Sequence, residues 1–228
     1  MPTCLVIGDS HVDAAGLAAP IKSELEKLGY KVTLAGVGAT SARVWTDNNP
    51  VCRPKKDKCV NKSSLPHGVD LLVVSLGTND AANASAAKVD KAKAADDTVQ
   101  RILKLKDAFG AKKLLWVGPP WMGDSMQHYT NENMAFVYEA AAKANVPVFD
   151  SRPVTKKLRE TSGSQDAVHL YGSKGKPWAQ AAVASLTGEA PTPPTTTTLS
   201  AGIGWGVGVA VLLAGVFWLR ASRGGAKS

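Results

Sequence analysis

The chain has 228 residues, 44% of them hydrophobic and 20% charged, the balance of an ordinary folded protein and not of a disordered one. That length suits one α/β domain with a sizeable core plus a short appendage. The net charge of +8 and a pI near 9.4 suit contact with membrane phosphates, acidic wall polymers or nucleic acid; no nucleic-acid motif is present, so no nucleic-acid partner is expected.

Taken in order, Met1 to Gly8 shows no basic segment followed by a long apolar run and a small-residue cleavage site, so no cleavable signal is expected. The apolar run Thr3 to Ile7 reads as a first strand and contains Cys4 as a buried small hydrophobe. Leu17, Ile21, Leu25 and Leu28 then share one helical face, closed by Gly29. Lys31 to Ala35 is a second short strand. In the polar, Lys-rich stretch that follows, Cys52 and Cys59 can close a disulfide in an oxidising compartment, with a stabilisation of about 2 kcal/mol for so short a loop. A zinc site would need two further ligands and only His67 is near, so no metal is expected.

Val69 to Leu76 (VDLLVVSL) has the near-continuous apolar character of a strand buried on both faces. Val89 to Phe109 reads as a helix with Val99, Ile102, Leu103 and Phe109 inward and Gly110 as its stop. Lys113 to Val117 is the fourth strand. Asn131 to Ala144 places Met134, Val137, Tyr138, Ala141 and Ala142 on one face. Val146 to Phe149 is the fifth strand, and Trp178 to Leu186 the last helix. Five strands alternating with helices predict a three-layer, doubly wound, flavodoxin-like parallel sheet over residues 1–188.

Residues 189–198 (EAPTPPTTTT) form a Pro/Thr-rich linker. Leu199 to Leu219 carries no charge over about twenty residues, enough at about 1.5 Å per residue to cross a hydrocarbon layer of roughly 30 Å. A single transmembrane helix is expected there, with its glycines (Gly202, Gly204, Gly206, Gly208) offering a face for self-association. The tail 220–228 holds Arg220, Arg223 and Lys227. The positive-inside rule therefore puts the C-terminus in the cytoplasm and the folded domain on the extracytoplasmic side.

Open parallel sheets bind ligands beyond the carboxyl ends of their strands. There the sequence supplies Gly8-Asp9-Ser10-His11, Gly36-Val37-Gly38-Ala39-Thr40, Gly77-Thr78-Asn79-Asp80, Gly118-Pro119-Pro120-Trp121 and Asp166-Ala167-Val168-His169. A serine hydroxyl needs a base to take its proton, and neutral imidazole is the usual one. His169 is the candidate base for Ser10. Asp166, three residues earlier, can hold the imidazole hydrogen. Acyl transfer also develops an oxyanion, for which the N–H groups of Ser10 and Gly38 and the side-chain amide of Asn79 are candidate donors.

A GDS near the N-terminus, a glycine after the second strand, G-x-N-D after the third and D-x-x-H near the end of the domain resemble the four blocks of the SGNH (GDSL-like) hydrolases. The resemblance covers residues 1 to about 188. It implies an esterase with Ser10, Asp166 and His169 as triad, Ser10, Gly38 and Asn79 as oxyanion donors, and no cofactor. Two departures bear on the substrate: GDSH stands where GDSL is commoner, and a basic insertion (53–62, RPKKDKCVNK) separates the second block from the third.

Asp9, His11, Asp80 and Trp121 are expected at the substrate rim or just behind it, with Trp45 and Trp121 equally rim packing or acyl-pocket walls. Asp150 competes with Asp166 as orienting acid. His67 and His128 read as solvated loop residues. The leading functional expectation is a membrane-anchored esterase acting on a small acylated molecule or glycan, such as O-acetyl groups of a cell envelope. The alternative is a membrane-anchored glycan-binding or virion assembly protein whose SGNH domain turns over little.

Overall fold

A computed structural model describes residues 1–123, 126–162, 166 and 168–188. The expected linker, transmembrane span and basic tail lie outside these residues. No helix among the described residues is long and apolar enough to cross a membrane.

Strands β1 (Thr3–Gly8) and β2 (Lys31–Gly36) are followed by a short hairpin of β3 (Val51–Cys52) and β4 (Cys59–Val60), then by β5 (Leu71–Ser75), β6 (Lys113–Val117) and β7 (Val148–Phe149). Five of them form one sheet in the order β2-β1-β5-β6-β7, every pair parallel. Because side chains alternate across a strand, each central strand feeds two cores. Leu5, Ile7, Leu72 and Val74 face one cluster with Trp45, Val99, Ile102 and Val137. Cys4, Val6, Leu71 and Val73 face another with Ile21, Leu25, Trp178 and Ala182. Helices α3 (Ala42–Asp47), α4 (Thr78–Ala86), α5 (Lys91–Ala108) and α6 (Asn131–Lys143) contribute to the first core. The second takes α2 (Ala18–Lys27), α7 (Arg152–Ser162) and α8 (Gly175–Thr187). The three-layer architecture expected from the alternating pattern is present.

Several boundaries differ for local reasons. The fifth strand is two residues long because Pro147 has no N–H to give a ladder. The helix expected from Val89 begins at Lys91, since Asp90 caps it through Lys93 N and Val89 is exposed. Leu28 is 44% exposed because α2 has ended at Lys27, and Ala142 lies on the outer side of α6. Cys52 and Cys59 are disulfide-bonded, closing the basic insertion into a hairpin and leaving no thiolate for a metal. Cys4 is buried, which pushes its thiol up to about 12.

Strand order reverses its direction of winding between β1 and β5, the crevice position of such sheets. A short helix α1 (Ser10–Asp13) sits directly over the ends of β1 and β2. Glycine permits this approach: a Cβ on Gly36 would stand 2.5 Å from Asp13 N and 2.6 Å from the Val12 carbonyl carbon.

Candidate active site

Ser10 heads α1. Asp9, fully buried, precedes it as the cap and accepts the His11 N–H at 3.0 Å. The far end of the site comes from the loop between α7 and α8. There Asp166 Oδ1 accepts the N–H groups of Val168 (2.7 Å) and His169 (2.6 Å), and its Oδ2 accepts His169 Nδ1 (2.9 Å) and the Tyr171 hydroxyl (3.1 Å). Burial alone would raise this carboxyl, yet the hydrogen bonds from His169 and Val168 hold it down to about 2. An ionised Asp166 puts the imidazole hydrogen on Nδ1 and leaves Nε2 as acceptor. That nitrogen lies 2.8 Å from Ser10 Oγ. The structure thus joins residues 159 positions apart into one proton path.

Arg159, on α7, fixes the loop. Its Nε donates to the Trp121 carbonyl (2.7 Å), and its two terminal nitrogens donate to the carbonyls of Asp166 (2.9 Å) and Val168 (2.7 Å). Burial lowers its pKa while the Asp166 charge opposes that shift. Asp150, the alternative orienting acid, is engaged by Arg152 at 2.9 and 2.7 Å instead.

The expected oxyanion donors are brought together, but two of them already have acceptors. Ser10 N–H heads a helix, where no intrahelical acceptor exists. The single hydrogen of Gly38 N is donated to Asp13 Oδ2 at 2.8 Å. The Asn79 amide gives its two hydrogens to Asp9 Oδ2 (3.1 Å) and the Thr40 carbonyl (3.0 Å), while its Oδ1 accepts the Tyr129 hydroxyl (2.8 Å). Asp13 Oδ2 and the Thr40 carbonyl thus accept hydrogens from two of the three candidate donors, Gly38 and Asn79.

Of the residues expected at the rim or just behind it, Asp9 and His11 are buried and Asp80 and Trp121 half-buried. Asp9 is sealed beneath Ser10, and burial drives its carboxyl up to about 7. Asp80 caps α3, accepting Ala42 N–H at 3.0 Å with either oxygen; burial raises it to about 6. His11 is 1% exposed, packed 5.4 Å ring to ring from both His169 and Trp178. Neither of its nitrogens has a hydrogen-bond partner among the described residues. Burial, then the charges of His169 and Arg159, lower it to about 3, so it is neutral. Trp121 is half-buried, its backbone N–H given to Thr155 Oγ1 (2.7 Å). Trp45 is fully buried in the core, its indole N–H donated to Thr40 Oγ1 (3.0 Å). His67 lies against Phe109. A cavity of about 570 Å³ opens near Lys62, His67 and Lys104, but no triad residue lines it.

The sequence reading did not single out Asp13, Arg53, Lys58, Tyr129, Arg159 or Tyr171. Asp13 and Tyr171 lie close in sequence to Ser10 and His169, and Arg53 and Lys58 fall within the basic insertion; Tyr129 meets Asn79 only through a contact 50 residues apart.

No protein-family model matches the chain, and no curated protein matches it. Solved structures do. Axe2, an acetylxylan esterase from Geobacillus stearothermophilus, superposes with a TM-score of 0.58 over 85% of this chain and 97% of its own, at 16% identity. LAE5, an alpha/beta hydrolase enzyme from the metagenome of Lake Arreo, Spain, gives 0.53 over 81% of this chain and 96% of its own, at 14% identity. The chain therefore shares the three-layer fold of these hydrolases, which is the fold the SGNH resemblance implies.

Proposed function

We propose that the protein is a serine esterase that hydrolyses carboxylic esters through an acyl-enzyme on Ser10. The observation that carries this reading is the unbroken path Ser10 Oγ, His169 Nε2, His169 Nδ1, Asp166 Oδ2 at 2.8 and 2.9 Å. Ser10 Oγ attacks the ester carbonyl carbon as its proton passes to His169 Nε2. Asp166 holds the Nδ1 hydrogen and stabilises the imidazolium without taking the proton. Collapse expels the alcohol, protonated from Nε2. Water, deprotonated by the same nitrogen, then releases the acid. The oxyanion is met by the Ser10 N–H, and by Asn79 once the substrate oxygen replaces the Thr40 carbonyl as acceptor.

The acyl group is small and the alcohol a glycan, with O-acetyl groups of a cell-envelope polymer as the substrate class. The acetylxylan esterase activity printed for Axe2, the Pro/Thr linker and the basic hairpin 53–58 support this. The domain is tethered through Leu199 to Leu219, a reading supported by sequence alone. Acetate release from O-acetylated wall polymer, beside p-nitrophenyl esters of rising chain length, tests it. Activity on acetyl esters that vanishes in Ser10→Ala is expected, and preference for long acyl chains would overturn the substrate class. A second reading, a glycan-binding or assembly protein with little turnover, is favoured by the occupied Gly38 and Asn79 donors. It predicts that a fluorophosphonate probe leaves Ser10 of the folded protein unlabelled.

A further inference from the structure

Asp13 is the group whose chemistry the triad leaves unused. Its side chain is 3% exposed, yet it accepts four donors from three segments. Gly38 N–H lies 2.8 Å from Oδ2, and Arg53 reaches the same oxygen through Nε (3.2 Å) and Nη2 (2.6 Å). Lys58 Nζ pairs with Oδ1. Arg53 and Lys58 stand opposite one another in the hairpin that the Cys52–Cys59 bond closes, joined by Arg53 N–H to the Lys58 carbonyl at 3.0 Å. Asp13 also lies one turn beyond Ser10 on the same helix.

A backbone N–H has one hydrogen. Gly38 cannot donate it fully to Asp13 and to a substrate oxyanion at once. Accepting the esterase reading above, we infer that Asp13 is a competing acceptor that occupies the Gly38 oxyanion donor in the resting protein, held there by Arg53 and Lys58, and that turnover requires its displacement. Arg53 and Lys58 do not forbid the exchange, because when Asp13 swings off Gly38 its charge remains paired with them and no buried carboxylate is stranded. Asp13 is thus a positioning residue that sets how much of the oxyanion stabilisation is available.

The test compares Asp13→Ser, whose side chain is too short to reach Gly38, with Asp13→Asn, which keeps an acceptor oxygen there but no charge. Both are measured on p-nitrophenyl acetate in the full chain, with Ser10→Ala as the zero. The expected result is a kcat for Asp13→Ser about tenfold above the native protein, with KM little changed and Asp13→Asn near the native rate. A fall or no change in Asp13→Ser overturns the inference, as does an equal rise in both variants, which would assign the effect to charge alone. If Asp13→Ser does not give the native circular dichroism, the same comparison is made in a chain with Arg53→Met and Lys58→Met, which leaves no unpaired cation. Failure of the esterase reading is separate: the native protein and Ser10→Ala would then have the same rate.

Discussion

Asp9 and His11 flank Ser10 in sequence and titrate in opposite senses. Burial raises Asp9 to about 7, so the folded chain holds that proton more tightly than the unfolded one. The stability Asp9 contributes is complete below about pH 4 and is lost as pH climbs through about 7. Asp9→Asn should therefore gain stability relative to the native protein between about pH 5 and pH 8, read as a growing difference in Tm. A pH-independent difference would contradict the assignment. For His11, burial lowers the value to about 3; the unfolded chain takes its proton first, and stability is lost as pH falls below about 6. Asp166→Asn leaves the imidazole free to adopt the wrong tautomer and should cost on the order of 10⁴ in kcat. Asp150→Asn, a change at a side chain engaged by Arg152 and away from His169, should leave kcat within about twofold of native, as expected for a group outside the proton path. Ser10, Asp166 and His169 were legible in the sequence because they lie in two short motifs, GDS and D-x-x-H, although the second stands in the loop after α7 and not at the end of the fifth strand. The state of the oxyanion donors was not, since it depends on where Asp13, Asp9 and Thr40 come to rest in three dimensions.

The elements divide in the same way. Strands β1 and β5 and helices α2, α5 and α6 announce themselves by periodic apolar residues. Four helices do not: α1 is four residues long and α3 six; α4 (TNDAANASA) is small and polar, and reads as a turn; and α7 (RPVTKKLRETS) has two large apolar side chains amid basic ones. Yet α7 carries Arg159, whose three hydrogen bonds hold the loop that presents His169. Arg159→Met should lower kcat by about tenfold to a hundredfold with KM nearly constant, because a small displacement of the base is costly; equal turnover in native and variant would remove Arg159 from the account. The hairpin of β3 and β4 is too short for a pattern, and the Cys52–Cys59 disulfide closes it. Opening that bond with a reductant should cost about 2 kcal/mol of stability, measured by denaturant unfolding with and without the reductant.

At the scale of the molecule, winding direction does most of the work. β1 is followed by α2 on one face and β5 by α4 and α5 on the other, so Ser10 and Asn79 emerge side by side at the crevice between them. The chain returns through α7 to bring Asp166 and His169 over the same opening. The parallel order and both cores are complete within the described residues up to α8. A chain ending at Gly188 should thus melt within a few degrees of the full protein and keep its esterase rate, while only the full chain partitions into detergent. Partitioning of both would contradict the tether. The most direct test of the central claim is to trap the acyl-enzyme: acid-quench the protein during turnover of an acetyl ester and map the adduct by peptide mass spectrometry. Acetyl on Ser10, absent from His169→Ala at the same time point, is the predicted result. Steady ester hydrolysis with Ser10 unmodified, or with the adduct on another residue, would contradict it.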